Sequence, residues 1–250
     1  MSSNKTIVIV PGAWHKSHFF EQTASHLQAA GYNCSPIDLA SVGASPPVTS
    51  FQPDVELIKQ AISRAADAGH DITVIGHSYG SVPACAAIQN LDKKSRTAAN
   101  LPGGVTQKIF LCSFLLPAGL TPLQGLSGPP PTWLEVSPDG TQAVCTNPSW
   151  AFYNDLPKQE QDKWAATLLP HSFQVFSSPL TYEAWRDVPS SYIYCTLDNA
   201  IPIADQKRMV GETAKGVDIR TVQLEASHSP FLSMPETLAR TIGELIEGRN

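Results

Sequence analysis

The stretch 72–81, Ile-Thr-Val-Ile-Gly-His-Ser-Tyr-Gly-Ser, constrains this chain more than any other. A run of mostly β-branched residues ends in Gly76-His77-Ser78-Tyr79-Gly80 and passes into Val82-Pro-Ala-Cys-Ala-Ala-Ile88, which reads as a helix of small residues. G-x-S-x-G between a strand and a helix is the nucleophile-elbow pattern, in which the chain turns so sharply that one serine is held at the tip. The serine backbone is strained there, and glycines two residues to either side let strand and helix pass without Cβ clashes. The helix that follows points its free N–H groups and positive dipole end at the reacting oxygen. Ser78 is therefore the candidate nucleophile. The competing reading is a tight strand–helix turn carrying an idle serine.

The rest of the chain supplies the sheet that such a turn needs. Residues 6–10 form a near-continuous β-branched run, the mark of a strand buried on both faces. A helix over 18–30 stops at Gly31, a short strand covers 32–37, and a Ser/Gly/Pro-rich loop runs over 38–48. Val55, Ile58, Ala61, Ile62 and Ala65 recur at helical spacing over 54–68, before Gly69. The elbow strand follows, then a buried strand over 108–112. Beyond Leu116 the rhythm breaks. The interval 117–187 carries Pro129-Pro130-Pro131, scattered aromatics and one clear helix over about 157–169. Alternation resumes with a strand at 191–196, a helix at 203–210, a strand at 218–224 and a last helix over 235–247, with Ser233 as its N-cap. Strand and helix in alternation mean a parallel sheet with helices on both faces. The expected fold is α/β: one domain built on a mostly parallel sheet of about six strands, with core segments 1–116 and 188–250. The insertion 117–187 forms a cap that can close over the strand ends.

Composition removes several function classes. A net charge of −5 leaves no basic surplus for phosphates, which excludes nucleic acid as a partner. No apolar run approaches the length of a bilayer span, so no membrane association is expected. Met1 to Thr6 leads straight into Ile7-Val-Ile-Val10, too short an apolar stretch for a signal peptide. The five cysteines are an odd number with no C-x-x-C pair, which points to reduced thiols, no metal site and a cytoplasmic protein.

A serine hydroxyl is a weak nucleophile until a base takes its proton, and that base needs an acid to orient it. In this architecture functional groups gather at the carboxyl ends of the strands. His228, in Glu225-Ala-Ser-His-Ser-Pro230, follows the last strand and is the candidate base. His70 precedes a strand at its wrong end, and His26 sits mid-helix. His77 adjoins the nucleophile but points another way; His15 and His18 follow the first strand, and His171 lies in the insertion. Asp198 directly follows the strand at 191–196 and is the candidate acid, with an N-cap of the next helix as its alternative role. Asp38 follows an early strand and reads as a turn residue. A developing oxyanion needs two backbone N–H groups. Tyr79 offers one; the loop after the first strand offers the other, from Ala13 first or Trp14 second, with Gly12 allowing close approach.

These pieces resemble the α/β-hydrolase superfamily, and within it the compact branch of plant methylesterases, hydroxynitrile lyases and many microbial hydrolases. The resemblance rests on Ile7-Val-Ile-Val-Pro-Gly-Ala-Trp-His15, Gly76-His-Ser-Tyr-Gly-Ser81, Asp198-Asn-Ala-Ile-Pro202 and Ser227-His-Ser-Pro230, which span nearly the whole chain. The order Ser78, Asp198, His228 is that of the superfamily. The resemblance implies a Ser–His–Asp triad, no cofactor and a helical cap over an apolar pocket. The lyases of this branch carry threonine where this chain has Gly12 and lysine where it has Ser229, which argues for hydrolysis. Pro11 departs from the histidine of the usual His-Gly oxyanion motif and alters loop packing.

The insertion offers Trp133, Trp150, Phe152, Tyr153, Trp164, His171, Phe173 and Phe176, of which two or three are expected to touch ligand. Gly12, Trp14, His15, His77, Trp133, Phe152, Tyr153 and His171 are the candidate substrate contacts. With no Arg/Lys cluster there, the expected substrate is a small uncharged carboxylic ester or lactone, apolar or aromatic, bound by a monomer or homodimer. Non-ester chemistry on the same fold (C–C hydrolysis, elimination or lyase action) and a non-catalytic small-ligand receptor are the other readings.

Overall fold

The computed structural model describes residues 4–129 and 131–249; Met1, Ser2, Ser3, Pro130 of the expected proline run and Asn250 lie outside them. Six strands form the main sheet: β1 (Lys5–Val10), β2 (Asn33–Pro36), β3 (Asp71–His77), β4 (Gly104–Leu111), β8 (Ser190–Cys195) and β9 (Ile219–Leu224). The β-branched runs of β1 and β3 are buried almost end to end, as strands covered on both faces must be. The order is β2-β1-β3-β4-β8-β9, with every neighbouring pair parallel. Because β2 and β3 flank β1 on opposite sides, the chain reverses its direction of travel between β1 and β3. That switch point leaves a crevice outside the carboxyl ends of those two strands. The register pairs Val10 with Gly76, so the loop after β1 and the elbow after β3 meet there.

Helix α1 (Glu21–Ala29) packs against the last helix, Pro235–Ile246, and α2 (Gln52–Asp67) packs against α3 (Ser81–Ile88). Val55, Ile58, Ala61, Ile62 and Ala66 form the buried stripe of α2, close to the expected pattern. Other details differ. The turn ahead of α1 is a 3-10 helix, Ser17–Phe20, and a helix at Lys93–Ala98 went unforeseen although Asp92 caps it through Ser95 N–H at 2.8 Å. Ser233 is not the N-cap of the last helix: Met234 holds that place, and the Ser233 hydroxyl is buried without a partner among the described residues.

The insertion contains the helix expected at 157–169, which spans Lys158–Ala165. It also contains an unforeseen antiparallel sheet, β5 (Leu134–Val136), β6 (Gln142–Cys145) and β7 (His171–Ser172). Strands of two to four residues carry too little alternation to be read from sequence.

The two elbow glycines are required by contact. A Cβ on Gly76 would lie 2.6 Å from Ser81 Cα, and one on Gly80 would lie 2.7 Å from Val10 O and closer still to Pro11 O. Backbone atoms at the end of a central strand cannot rotate away. Gly80→Ala is therefore expected to cost about 3 kcal/mol of stability, read as a lower urea midpoint.

Candidate active site

Strain collects at one rim of the sheet. Trp14 after β1, Ser78 after β3 and Cys112 after β4 all have positive φ, at 65°, 51° and 34°. Non-glycine residues persist in this region only where their surroundings over-determine them, and such places cluster at functional sites. Ser78 opens a 3-10 turn, Ser78–Gly80, that feeds α3. Its side is closed by the loop after β1: a Cβ on Gly12 would lie 2.8 Å from Ser78 Cβ, so only glycine lets that loop seat against the elbow.

Asp198 follows β8 and His228 follows β9, and their side chains meet, His228 Nδ1 to Asp198 Oδ2, at 2.7 Å. Asp198 Oδ1 accepts the N–H groups of Ala200 at 2.8 Å and Ile201 at 2.9 Å, and Gln206 Nε2 donates to Oδ2 at 3.3 Å. The carboxylate thus braces its own turn, while the helix Ile203–Arg208 takes Pro202 as its N-cap residue. The His228 loop is anchored by Ser227, whose N–H donates to Asp155 Oδ2 at 2.8 Å and whose hydroxyl donates to Phe152 O at 2.9 Å. The His228 ring stands 4.5 Å from that of His77, the residue before Ser78.

His77 joins two loops. Its Nδ1 accepts the Gly12 N–H at 3.2 Å, so Nε2 carries the hydrogen and donates to His228 O at 2.9 Å. His15 donates from Nδ1 to Ala13 O at 2.7 Å and accepts from the Tyr153 hydroxyl at 2.9 Å. His171, also fully buried, has no hydrogen-bond partner on either ring nitrogen among the described residues. Burial holds all three neutral: it brings His15 and His171 down to about 3 and His77 well below its usual value. A histidine whose folded pKa is depressed binds fewer protons than the unfolded chain below pH 6.5, so stability falls as pH falls from 6.5 toward 3. Each such group costs about 1.4 kcal/mol per pH unit in that window. His171→Phe is expected to stabilise the protein by about 1–3 kcal/mol at pH 7, since it removes an unpartnered buried group. The gain should grow at pH 5, as urea titrations at the two pH values would show.

A cavity of about 350 Å³ opens at Ser78. Trp14, Phe114, Trp133, Phe152, Phe173 and Phe176 supply its aromatic wall, and no charged side chain lies among the described residues lining it. Ala13, Trp14, Ser78, Tyr79, Trp133 and Phe152, all candidates from the sequence, line this cavity. Gly12, His15, His77, Tyr153 and His171, the other candidate contacts, are not among the described residues that line it. His15, His77 and Tyr153 are spent on internal hydrogen bonds, His171 is packed behind Tyr79 and Phe176 at 4.9 Å from each ring, and Gly12 is a close-contact residue. Trp150 is half-exposed, and Trp164 packs on Phe19 at 5.2 Å. Phe114 was missed although it follows β4, where the strand-end rule points. Asp54 was missed too: it accepts the Tyr79 hydroxyl at 2.9 Å and Ser41 Oγ at 2.6 Å, but at the start of a helix it reads as an ordinary first-turn acid.

His77, Cys112 and His228 place one donor atom each within 4.8 Å of one another. The set does not fit a metal. Both nitrogens of His77 are engaged, and burial pushes the Cys112 thiol well above its usual value, against the thiolate a metal needs.

Comparison with known proteins finds relatives over nearly the whole length of the chain. The model of the alpha/beta hydrolase family matches residues 7–241. An alpha/beta hydrolase of Aspergillus novofumigatus is 30% identical over 249 residues, covering 96% of this chain and 98% of that protein. A pyrethroid hydrolase of Sphingobium wenxiniae is 27% identical over 259 residues, covering 96% of this chain and 87% of that protein. The crystal structure of a pyrethroid hydrolase from Sphingobium faniae superposes with a TM-score of 0.77 at 23% identity, over 97% of each chain.

Proposed function

We propose that this chain, which belongs to the alpha/beta hydrolase family, is a serine hydrolase that cleaves a small uncharged carboxylic ester or lactone through an acyl-enzyme. The observation that carries the reading is the 2.7 Å Asp198–His228 pair, its imidazole 4.5 Å from the ring of His77, the chain neighbour of a strained Ser78 that opens onto an apolar cavity. With Nδ1–H given to Asp198, His228 keeps Nε2 free to take the Ser78 proton. Ser78 Oγ then bonds to the carbonyl carbon, and the carbonyl π pair moves onto oxygen, where the N–H groups of Ala13 and Tyr79 receive it. Collapse of that intermediate expels the alcohol, which leaves with the proton from His228. Water, deprotonated by the same nitrogen, then releases the acid and restores Ser78. A lactone follows the same steps with acid and alcohol still joined.

The lining without charge favours a neutral, largely apolar substrate, and the relatives named pyrethroid hydrolase support hydrolytic chemistry. The interval 117–187 acts as the cap of this site, since it contributes Trp133, Phe152, Phe173 and Phe176 to the wall. The five free cysteines fit a reducing compartment such as the cytoplasm.

The test is active-site labelling with a fluorophosphonate probe, read by intact mass and peptide mapping. Labelling at Ser78 that disappears in His228→Ala is the expected result, followed by a screen of esters and lactones for acid and alcohol products. A folded protein that neither takes the probe nor turns over p-nitrophenyl acetate would overturn the reading.

A further inference from the structure

The loop that carries Ala13 is held from two sides. On the elbow side, Gly12 N–H is bonded to His77. On the other side stands Trp14, and both of its bonds run to the insertion. Its backbone carbonyl accepts Leu169 N–H at 3.2 Å, just ahead of β7, and its indole Nε1–H donates to Ala143 O at 2.9 Å, in β6. The indole also stacks on Phe152 at 5.5 Å and meets Trp133 edge-on at 5.8 Å. Left-handed backbone is disfavoured for a large side chain, so a tryptophan at φ 65° needs such external restraint.

We propose that Trp14 is a positioning residue through which the insertion holds the Ala13 amide in place to receive the oxyanion. The proposal rests on the hydrolase reading above. One bond fixes the Trp14 peptide and the other fixes its ring, and each comes from a different strand region of the insertion. Ala13 lies between these restraints and the Gly12–His77 bond, so its N–H is oriented before any substrate arrives. Preorganised donors stabilise charge that develops only in the transition state, so loosening Trp14 acts on the chemical step and spares ground-state binding.

The experiment compares wild type with Trp14→Phe, which keeps an aromatic ring and loses the N–H to Ala143. The readouts are kcat and KM with p-nitrophenyl butyrate, and inhibition by a phenyl trifluoromethyl ketone and by the matching methyl ketone. The fluorinated ketone adds Ser78 Oγ to its carbonyl carbon, passes the serine proton to His228 and carries an oxyanion; the methyl ketone binds unreacted. Trp14→Phe is expected to lower kcat by about 10- to 100-fold and weaken the trifluoromethyl ketone by the same factor. KM and methyl-ketone affinity should stay within about threefold of wild type, the split that separates loss of transition-state binding from loss of pocket wall. Trp164→Phe, remote from the cavity, should match wild type. Should Trp14→Phe fail to fold, site-specific 3-benzothienylalanine at position 14 replaces the N–H by sulfur in a ring of the same shape, with the same expected result. A rise in KM and a loss of methyl-ketone affinity at unchanged kcat would overturn the proposal and make Trp14 part of the wall only. If wild type itself neither hydrolyses the ester nor binds the trifluoromethyl ketone, the hydrolase reading falls and the proposal with it.

Discussion

Ser78→Ala is expected to lower kcat by about four to six orders of magnitude with the fold intact. The variant has no oxygen at the elbow, so attack must come from water, and the aligned base and oxyanion donors recover only part of the rate. Its stability should stay near that of wild type because alanine keeps the serine's size and its Cβ. The backbone adds a second, independent check. At φ 51° a Cβ is disfavoured, and glycine carries none, so Ser78→Gly should unfold at a higher temperature than Ser78→Ala while being equally inactive. Full turnover by Ser78→Ala would defeat the covalent mechanism, and equal melting of the two variants would mean that the strain at residue 78 is not stored in its Cβ.

The parts of this protein that could be read from its sequence are those where one short-range rule dictates residue type. The elbow was legible because backbone contact at Gly76 and Gly80 forbids any side chain, and that requirement leaves a fixed spacing on the page. Asp198 and His228 were legible because both sit directly beyond strands whose apolar runs are plain, and a parallel sheet sends those ends to one rim. The insertion follows no such rule. Its β6–β7 pairing joins Gln142 to Ser172, and nothing local in either strand announces the other. Its aromatics look alike in sequence, yet Phe173 and Phe176 face the cavity while Trp150 faces solvent, a choice made by packing at long range. His77 depends on distant partners in the same way: Gly12 N–H and His228 O engage its two nitrogens, and adjacency to Ser78 reveals neither.

Asp198→Asn should be nearly as damaging to catalysis as loss of the serine, for a reason written in the hydrogen bonds of one carboxylate. Oδ1 receives two backbone N–H groups, from Ala200 and Ile201, and can only be replaced by an oxygen. In the asparagine variant the amide oxygen must therefore take that side, which puts the NH₂ group where Oδ2 now faces His228 Nδ1 at 2.7 Å. A donor there forces the imidazole to carry its hydrogen on Nε2, the nitrogen that must accept the Ser78 proton. The tautomer change should lower kcat by about 10⁴-fold, the size of effect such a swap has in a serine protease triad. The fold should survive, because Gln206 Nε2 loses one acceptor but keeps Ile201 O at 2.7 Å and Cys195 O at 3.2 Å. Asp198→Ala should behave differently: it strips the two turn N–H groups of their acceptor and should cost about 1–3 kcal/mol of stability. Nitrogen-15 spectra of the His228 ring, taken with ester turnover and thermal melts, would check each step. Hydrogen on Nε2 with kcat reduced and melting unchanged is the expected pattern in Asp198→Asn. An Nδ1-protonated ring, or turnover close to wild type, would mean that Asp198 holds the turn and does not orient the base.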